Sequence, residues 1–249
     1  MTPNELIEAI GQSPALLFGY PAGLALALVV LVLRRRAVSF LAASPGERGA
    51  LAATWLALAL STPPPLAPVR YGADLLLILV LLEWPRWYAD RASLGAALGA
   101  YPAVLLALAC LATSGGGLVP AGAWVLAEAA PPEHHVCFWL GHGAWVLAAP
   151  SLVRGAAAAT PTHHALRLLR GIAHVVLAAA PSMGWLAAQD PPFVWLIPLP
   201  IAGVALWCAL ALRAQPHVLA VSERLATALG IIALSGTALW SVVERFGPQ

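Results

Sequence analysis

Long apolar stretches, most of them near the length of a membrane-crossing helix, alternate along this chain with short segments that carry most of its arginines and prolines. A helix rising about 1.5 Å per residue needs about 20 apolar residues to cross the hydrocarbon of a bilayer. By that ruler the pattern predicts eight spans, near residues 13–33, 49–65, 68–84, 94–113, 134–153, 163–187, 193–213 and 220–243. The apolar stretch 118–130 is too short to cross and lies between Ser114-Gly115-Gly116-Gly117 and Pro131-Pro132. Such a segment reads as a half-helix or re-entrant piece, whose irregular backbone is tolerated where protein or water surrounds it. The expected fold is all-α: a polytopic transmembrane helical bundle of about eight spans, one integral membrane domain over residues 1–249.

Polar punctuation refines this layout. Pro63-Pro64-Pro65 closes the second span, Pro181 interrupts the sixth, and Pro191-Pro192 breaks the chain before the seventh, because proline lacks the N–H that a helix interior uses. Trp84, Trp87 and Tyr88 fall where the third span is expected to leave the membrane, as an interfacial aromatic belt does. Basic residues collect in cytoplasmic loops. With eight spans and the N-terminus outside, those loops hold Arg34, Arg35, Arg36 and Arg48, then Arg86 and Arg91, then Arg154 and Arg167, then Arg213 and Arg224. The chain is thus expected in a cell inner membrane with both termini outside the cytoplasm.

Composition narrows the class. Apolar residues are 61% of the 249 and charged residues 10%, far from the roughly 25% charged of a soluble domain. The net charge of +2 is dispersed, which excludes a nucleic-acid-binding surface. Cys110, Cys137 and Cys208 are far apart in apolar segments, without the spacing of a metal motif or a disulfide framework. The N-terminal MTPNELIEAI has two Glu and no basic residue, so it lacks the n-region of a cleaved signal and the first span is expected to be retained.

The few ionisable groups inside apolar stretches carry the functional signal, because a charge in a membrane costs several kcal/mol unless it is paired or lines a wet path. Asp74 follows Arg70 by one helical turn, so the two share a face; the pair either anchors a helix end or forms an entry group for an ion. Glu83 lies nine residues on, about 13 Å further along the axis, as a separate step of a relay. Glu128 and Glu133 flank the Pro-Pro break, where hydration at depth is expected, or else both are solvated at the headgroups. Glu223 stands near the start of the last expected span. Seven histidines include His135, His142 and His174: His142 and His174 are candidate members of a proton path, and all three are candidate axial ligands of a haem b. No nucleophile elbow, phosphate loop, HExxH or paired-carboxylate motif is present in the sequence, which points to a non-catalytic subunit.

Two segments carry a family resemblance. Tyr71-Gly72-Ala73-Asp74 leading into Leu75–Leu82, then Asp90-Arg91-Ala92-Ser93-Leu94-Gly95-Ala96-Ala97-Leu98-Gly99-Ala100, resembles the third-to-fourth span passage of the H-type membrane subunits of respiratory complex I and their relatives in membrane-bound hydrogenases and formate hydrogenlyase. The stretch from Ala209-Leu210 to Trp240, with Ser222-Glu223-Arg224 in its middle, resembles that family's last two spans, joined by a short loop carrying Glu and Arg. The chain departs from the family in its first cytoplasmic loop, RRRAVSFLAASPGE, in Tyr101-Pro102 after the Gly-Ala turn, and in Arg154-Gly155 and alanines after the fifth span. Those departures leave quinone binding out of what the resemblance implies.

The resemblance implies a membrane subunit that anchors a cytoplasmic redox arm and contributes to a proton or sodium translocation path. Asp74, Glu83, Glu128, Glu133, His142, His174 and Glu223 are its candidate groups. Redox cofactors would then sit in partner subunits, membrane and peripheral, with none in this chain. A haem b electron-transfer subunit and a purely structural assembly subunit are the alternatives.

Overall fold

The structure is a computed structural model that describes residues 44–60, 75–89, 94–115, 130–154, 161–187, 189, 193, 196, 198–214 and 216–246. Seven helices of fifteen residues or more account for nearly all of these: α1 (Pro45–Leu60), α2 (Leu75–Ala89), α4 (Tyr101–Gly115), α5 (Pro132–Val153), α6 (Pro161–Ala187), α7 (Pro198–Arg213) and α8 (Pro216–Phe246). A short helix, α3 (Leu94–Leu98), precedes α4, and the described residues contain no strand. Three helices are long and apolar enough to cross a membrane, at Pro132–Val153, His164–Leu186 and Pro216–Phe246, while α4 and α7 are shorter apolar helices. This is the architecture of a helical membrane protein. The first expected span, the short stretch 118–129, Arg70, Asp74 and Glu128 lie outside the described residues.

The helix starts follow from proline chemistry. Pro45, Pro132, Pro161, Pro198 and Pro216 each open a helix, where the missing N–H costs nothing and the fixed φ is already helical. At α1 a reciprocal cap completes the start. Glu47 N donates to Ser44 Oγ at 3.3 Å and Ser44 N donates to Glu47 Oε2 at 2.7 Å, the capping-box pairing.

Two departures from the expected boundaries bear on the site. The third span is expected to end at residue 84, yet α2 runs through Pro85 to Ala89. Trp84 and Trp87 remain exposed, while Glu83 and Arg86 turn inward and are buried. The fourth span divides at Gly99-Ala100 into α3 and α4.

Helix α6 is the axis of the bundle. In its membrane-length segment 83% of residues are buried, against 22% in that of α8. It packs on α1, α2, α5 and α7, while α5 packs in turn on α4 and α8. The outer face of α8 presents Ile231, Ile232, Leu239, Trp240, Val242 and Val243, a surface suited to lipid rather than water.

Small residues let these helices approach closely, as they do where lipid supplies no hydrophobic drive between helices. A Cβ at Gly141 would lie 2.5 Å from Cys110 Cβ and 3.2 Å from Ala107 O, and one at Gly230 would lie 2.6 Å from Leu106 Cβ. The buried Cys110, Cys137 and Ala233 pack together between α4, α5 and α8. The carbonyl freed by Pro150, and its neighbour, take donors from other helices. Pro150 inside α5 cannot donate to Val146 O, and the Trp207 indole of α7 donates to that oxygen at 3.0 Å. One residue on, Ser222 Oγ of α8 donates to Leu147 O at 2.6 Å.

The close approach at Gly141 is directly testable. Gly141→Ala is expected to lower stability in detergent by about 1–3 kcal/mol through overpacking. Gly143→Ala on the same helix, where an added Cβ meets nothing within 4 Å, is expected to be neutral or slightly stabilising. Thermal unfolding of the two variants against the parent distinguishes them.

Candidate functional site

Glu83 sits in the C-terminal half of α2 with only 8% of its surface exposed. Its carboxylate is the meeting point of three helices. Arg86, one turn along α2, places Nε 2.7 Å from Glu83 Oε2. His174 of α6 places Nε2 2.9 Å from Glu83 Oε1. Tyr101, the first residue of α4, donates its hydroxyl to Glu83 Oε2.

Each partner is placed by local sequence. Glu83-x-x-Arg86 puts acid and base on one face of α2. Continuation of the helix past Pro85 carries that face to where α5 ends and α6 passes. There Arg86 Nη2 donates to Leu152 O at 2.6 Å, one of the last carbonyls of α5, which have no partner within the helix. A guanidinium at a helix C-terminus also meets the negative end of its dipole. On α6, Arg170 and His174 are spaced one turn apart, and both are buried.

The cluster therefore holds two guanidiniums, a carboxylate, a phenol and an imidazole inside an apolar bundle. Removal from water costs several kcal/mol per ion, which only close pairing and filled hydrogen bonds offset. Glu83 meets that condition, paired with Arg86 and accepting from His174 and Tyr101. With His174 Nε2 facing a carboxylate, Nε2 carries the proton and donates. Its Nδ1 is buried and has no hydrogen-bond partner among the described residues.

Of the sequence candidates, the structure brings Glu83 and His174 together and places the other described ones apart. His142 of α5 pairs through Nε2 with Ser182 of α6 at 2.7 Å and lies edge-on to Trp139, which in turn meets Trp185. Ser182 is eight residues beyond His174 on α6, about 12 Å along the axis, so the two histidines occupy separate stations. Glu133 and His135 are half-buried in the first turn of α5, directly after Pro131-Pro132. Glu133 Oε2 is buried without a hydrogen-bond partner among the described residues. Glu223 is not in the loop that the resemblance implies: it lies in the second turn of α8, half-buried, with its carboxylate over Gly99. Among the described residues no group of three or more His, Cys, Asp and Glu is arranged to hold a metal ion.

Arg86, Tyr101 and Arg170 are the cluster members that the linear pattern does not single out as site residues. Arg86 reads there as a cytoplasmic-loop arginine, and Tyr101 counts only as a departure from the family turn. The available signals are Glu83-x-x-Arg86 and Arg170-x-x-x-His174, ionisable pairs at helical spacing beside or within apolar runs.

Fold and site together define the class: a helical membrane protein with a buried network of ionisable groups. The sequence matches no protein-family model, and neither a curated protein nor a solved structure matches it.

Replacing one partner tests the energetics of the network. Arg86→Met, which leaves Glu83 without its guanidinium and Leu152 O without its donor, is expected to destabilise the protein by about 3–5 kcal/mol. Glu83→Gln/Arg86→Met is expected to recover at least half of that loss. Unfolding in mixed detergent micelles measures both, and equal destabilisation by the single and double variants would contradict the pairing.

Proposed function

We propose that this chain is a non-catalytic membrane subunit of a complex I-like or membrane-bound hydrogenase-like assembly, in which the Glu83 cluster carries a step of proton translocation. One observation carries the reading: a buried carboxylate hydrogen-bonded to a buried imidazole, with a phenol on the same carboxylate. Ionisable residues within membrane spans are costly, and they mark ion pathways and proton relays. The resemblance of Tyr71–Leu82 and its following turn to the H-type membrane subunits of complex I supplies the kind of assembly. In this reading the chain has eight spans in an inner membrane with both termini outside the cytoplasm. The redox centres belong to partner subunits.

The step balances on these residues. A proton arrives at His174 Nδ1 and forms an N–H bond. The Nε2–H bond breaks as its proton passes to Glu83 Oε1, leaving a neutral imidazole in the other tautomer and a neutral carboxylic acid. Loss of that proton onward restores the carboxylate, and return of the imidazole to its first tautomer resets the pair. Arg86, held by Leu152 O, stays charged throughout and keeps the carboxylate in place.

Glu83→Gln and His174→Gln preserve size and hydrogen bonding but remove the proton acceptors. In the intact assembly reconstituted into liposomes, each is expected to keep electron transfer and to lower protons moved per electron by at least about tenfold. Glu83→Asp is expected to retain part of the translocation. Assembled Glu83→Gln complex that translocates at the parental ratio would overturn the reading.

A further inference from the structure

Helix α8 carries its charged residues in two pairs, Glu223-Arg224 and Glu244-Arg245, and the 19 residues from Leu225 to Val243 between them have none. At 1.5 Å per residue that stretch is about 28 Å long, the thickness of a bilayer's hydrocarbon. Each pair therefore falls at headgroup level on one side of the membrane.

The two pairs differ in what surrounds them. Glu244 and Arg245 are exposed at the helix end. Glu223 and Arg224 line a lateral groove of about 450 Å³ with Gly99, Ala220, Thr227, Ala228 and Ile231. Gly99, in the turn between α3 and α4, is what admits the acid: a Cβ there would sit 2.6 Å from Glu223 Oε2. Thr227 Oγ1 is turned back onto Glu223 O at 2.9 Å, so it does not engage the carboxylate. From this polar end the groove continues along Ala228 and Ile231, one and two turns into the charge-free stretch.

We propose that this groove binds an aminophospholipid such as phosphatidylethanolamine. The primary ammonium donates to the Glu223 carboxylate, the phosphate accepts from the Arg224 guanidinium, and an acyl chain follows Ala228 and Ile231 into the hydrocarbon. The adjacent negative and positive side chains match a zwitterionic head in which amine and phosphate are two carbons apart. Phosphatidylcholine presents the same charges, but its methylated nitrogen has no N–H to donate. An anionic lipid brings its phosphate to Arg224 but offers Glu223 no cation.

Native mass spectrometry of the full chain, in whatever assembly copurifies with it, tests this with added phosphatidylethanolamine, phosphatidylcholine or phosphatidylglycerol. Retention of the ethanolamine lipid at least about fivefold above the other two is expected. That preference should be lost in Glu223→Gln and in Arg224→Gln but kept in Glu244→Gln and Arg245→Gln, which alter the same chemistry at the exposed helix end. Glycerophosphoethanolamine, which has no acyl chains, is expected not to compete. Equal retention of the three lipids, or a preference that survives both groove variants, overturns the proposal. So does a neighbouring subunit's helix crosslinking to Ala228 in place of lipid.

Discussion

A carboxylate withdrawn from water into an apolar bundle has to be compensated on every side, and Glu83 draws α2, α4 and α6 together to achieve it. Arg86 supplies charge from its own helix, His174 a donor from α6, and Tyr101 a second donor from the start of α4. The same guanidinium then reaches the end of α5 through Leu152 O. One acid therefore sets where four helices stand relative to each other at this end of the molecule. Hydrophobic packing alone would leave those positions free to slide, since a lipid-facing apolar helix gains little from choosing one apolar neighbour over another.

At the other packing contacts, closeness replaces charge. Gly141 against Cys110 and Gly230 against Leu106 bring α5 and α8 onto α4 within the reach of backbone atoms. Where Pro150 interrupts the ladder of α5, Trp207 of α7 uses the Val146 carbonyl it frees. Trp207 and Ser222 thus spend their polar groups on contacts between helices, while the exposed large side chains of α8 are Ile, Leu, Val, Trp and Phe.

Much of the helical layout is legible in the sequence, because a run of about 20 apolar residues has few fates. The spans near 134–153 and 163–187 correspond closely to α5 and α6. The site is legible only in part. Glu83 and His174 stand out as ionisable groups in apolar surroundings, but nothing in a linear pattern says which helix packs on which, so their pairing stays hidden there. Arg86 is misread for a physical reason: Pro85 and the aromatic belt around it suggest a helix exit, whereas the helix continues for another turn and carries the arginine inward. The resemblance puts Glu223 in a loop between the last two spans, whereas Pro216 opens α8 two turns before the acid.

The central claim is that Glu83 and His174 form one energetic unit across α2 and α6. A double-mutant cycle with Glu83→Ala, His174→Ala and the double variant, read by unfolding free energy in detergent micelles, tests it most directly. The network predicts a coupling energy of about 0.5–3 kcal/mol, the range for residues that share one hydrogen-bonded network. Additive losses, with a coupling energy indistinguishable from zero, would contradict it.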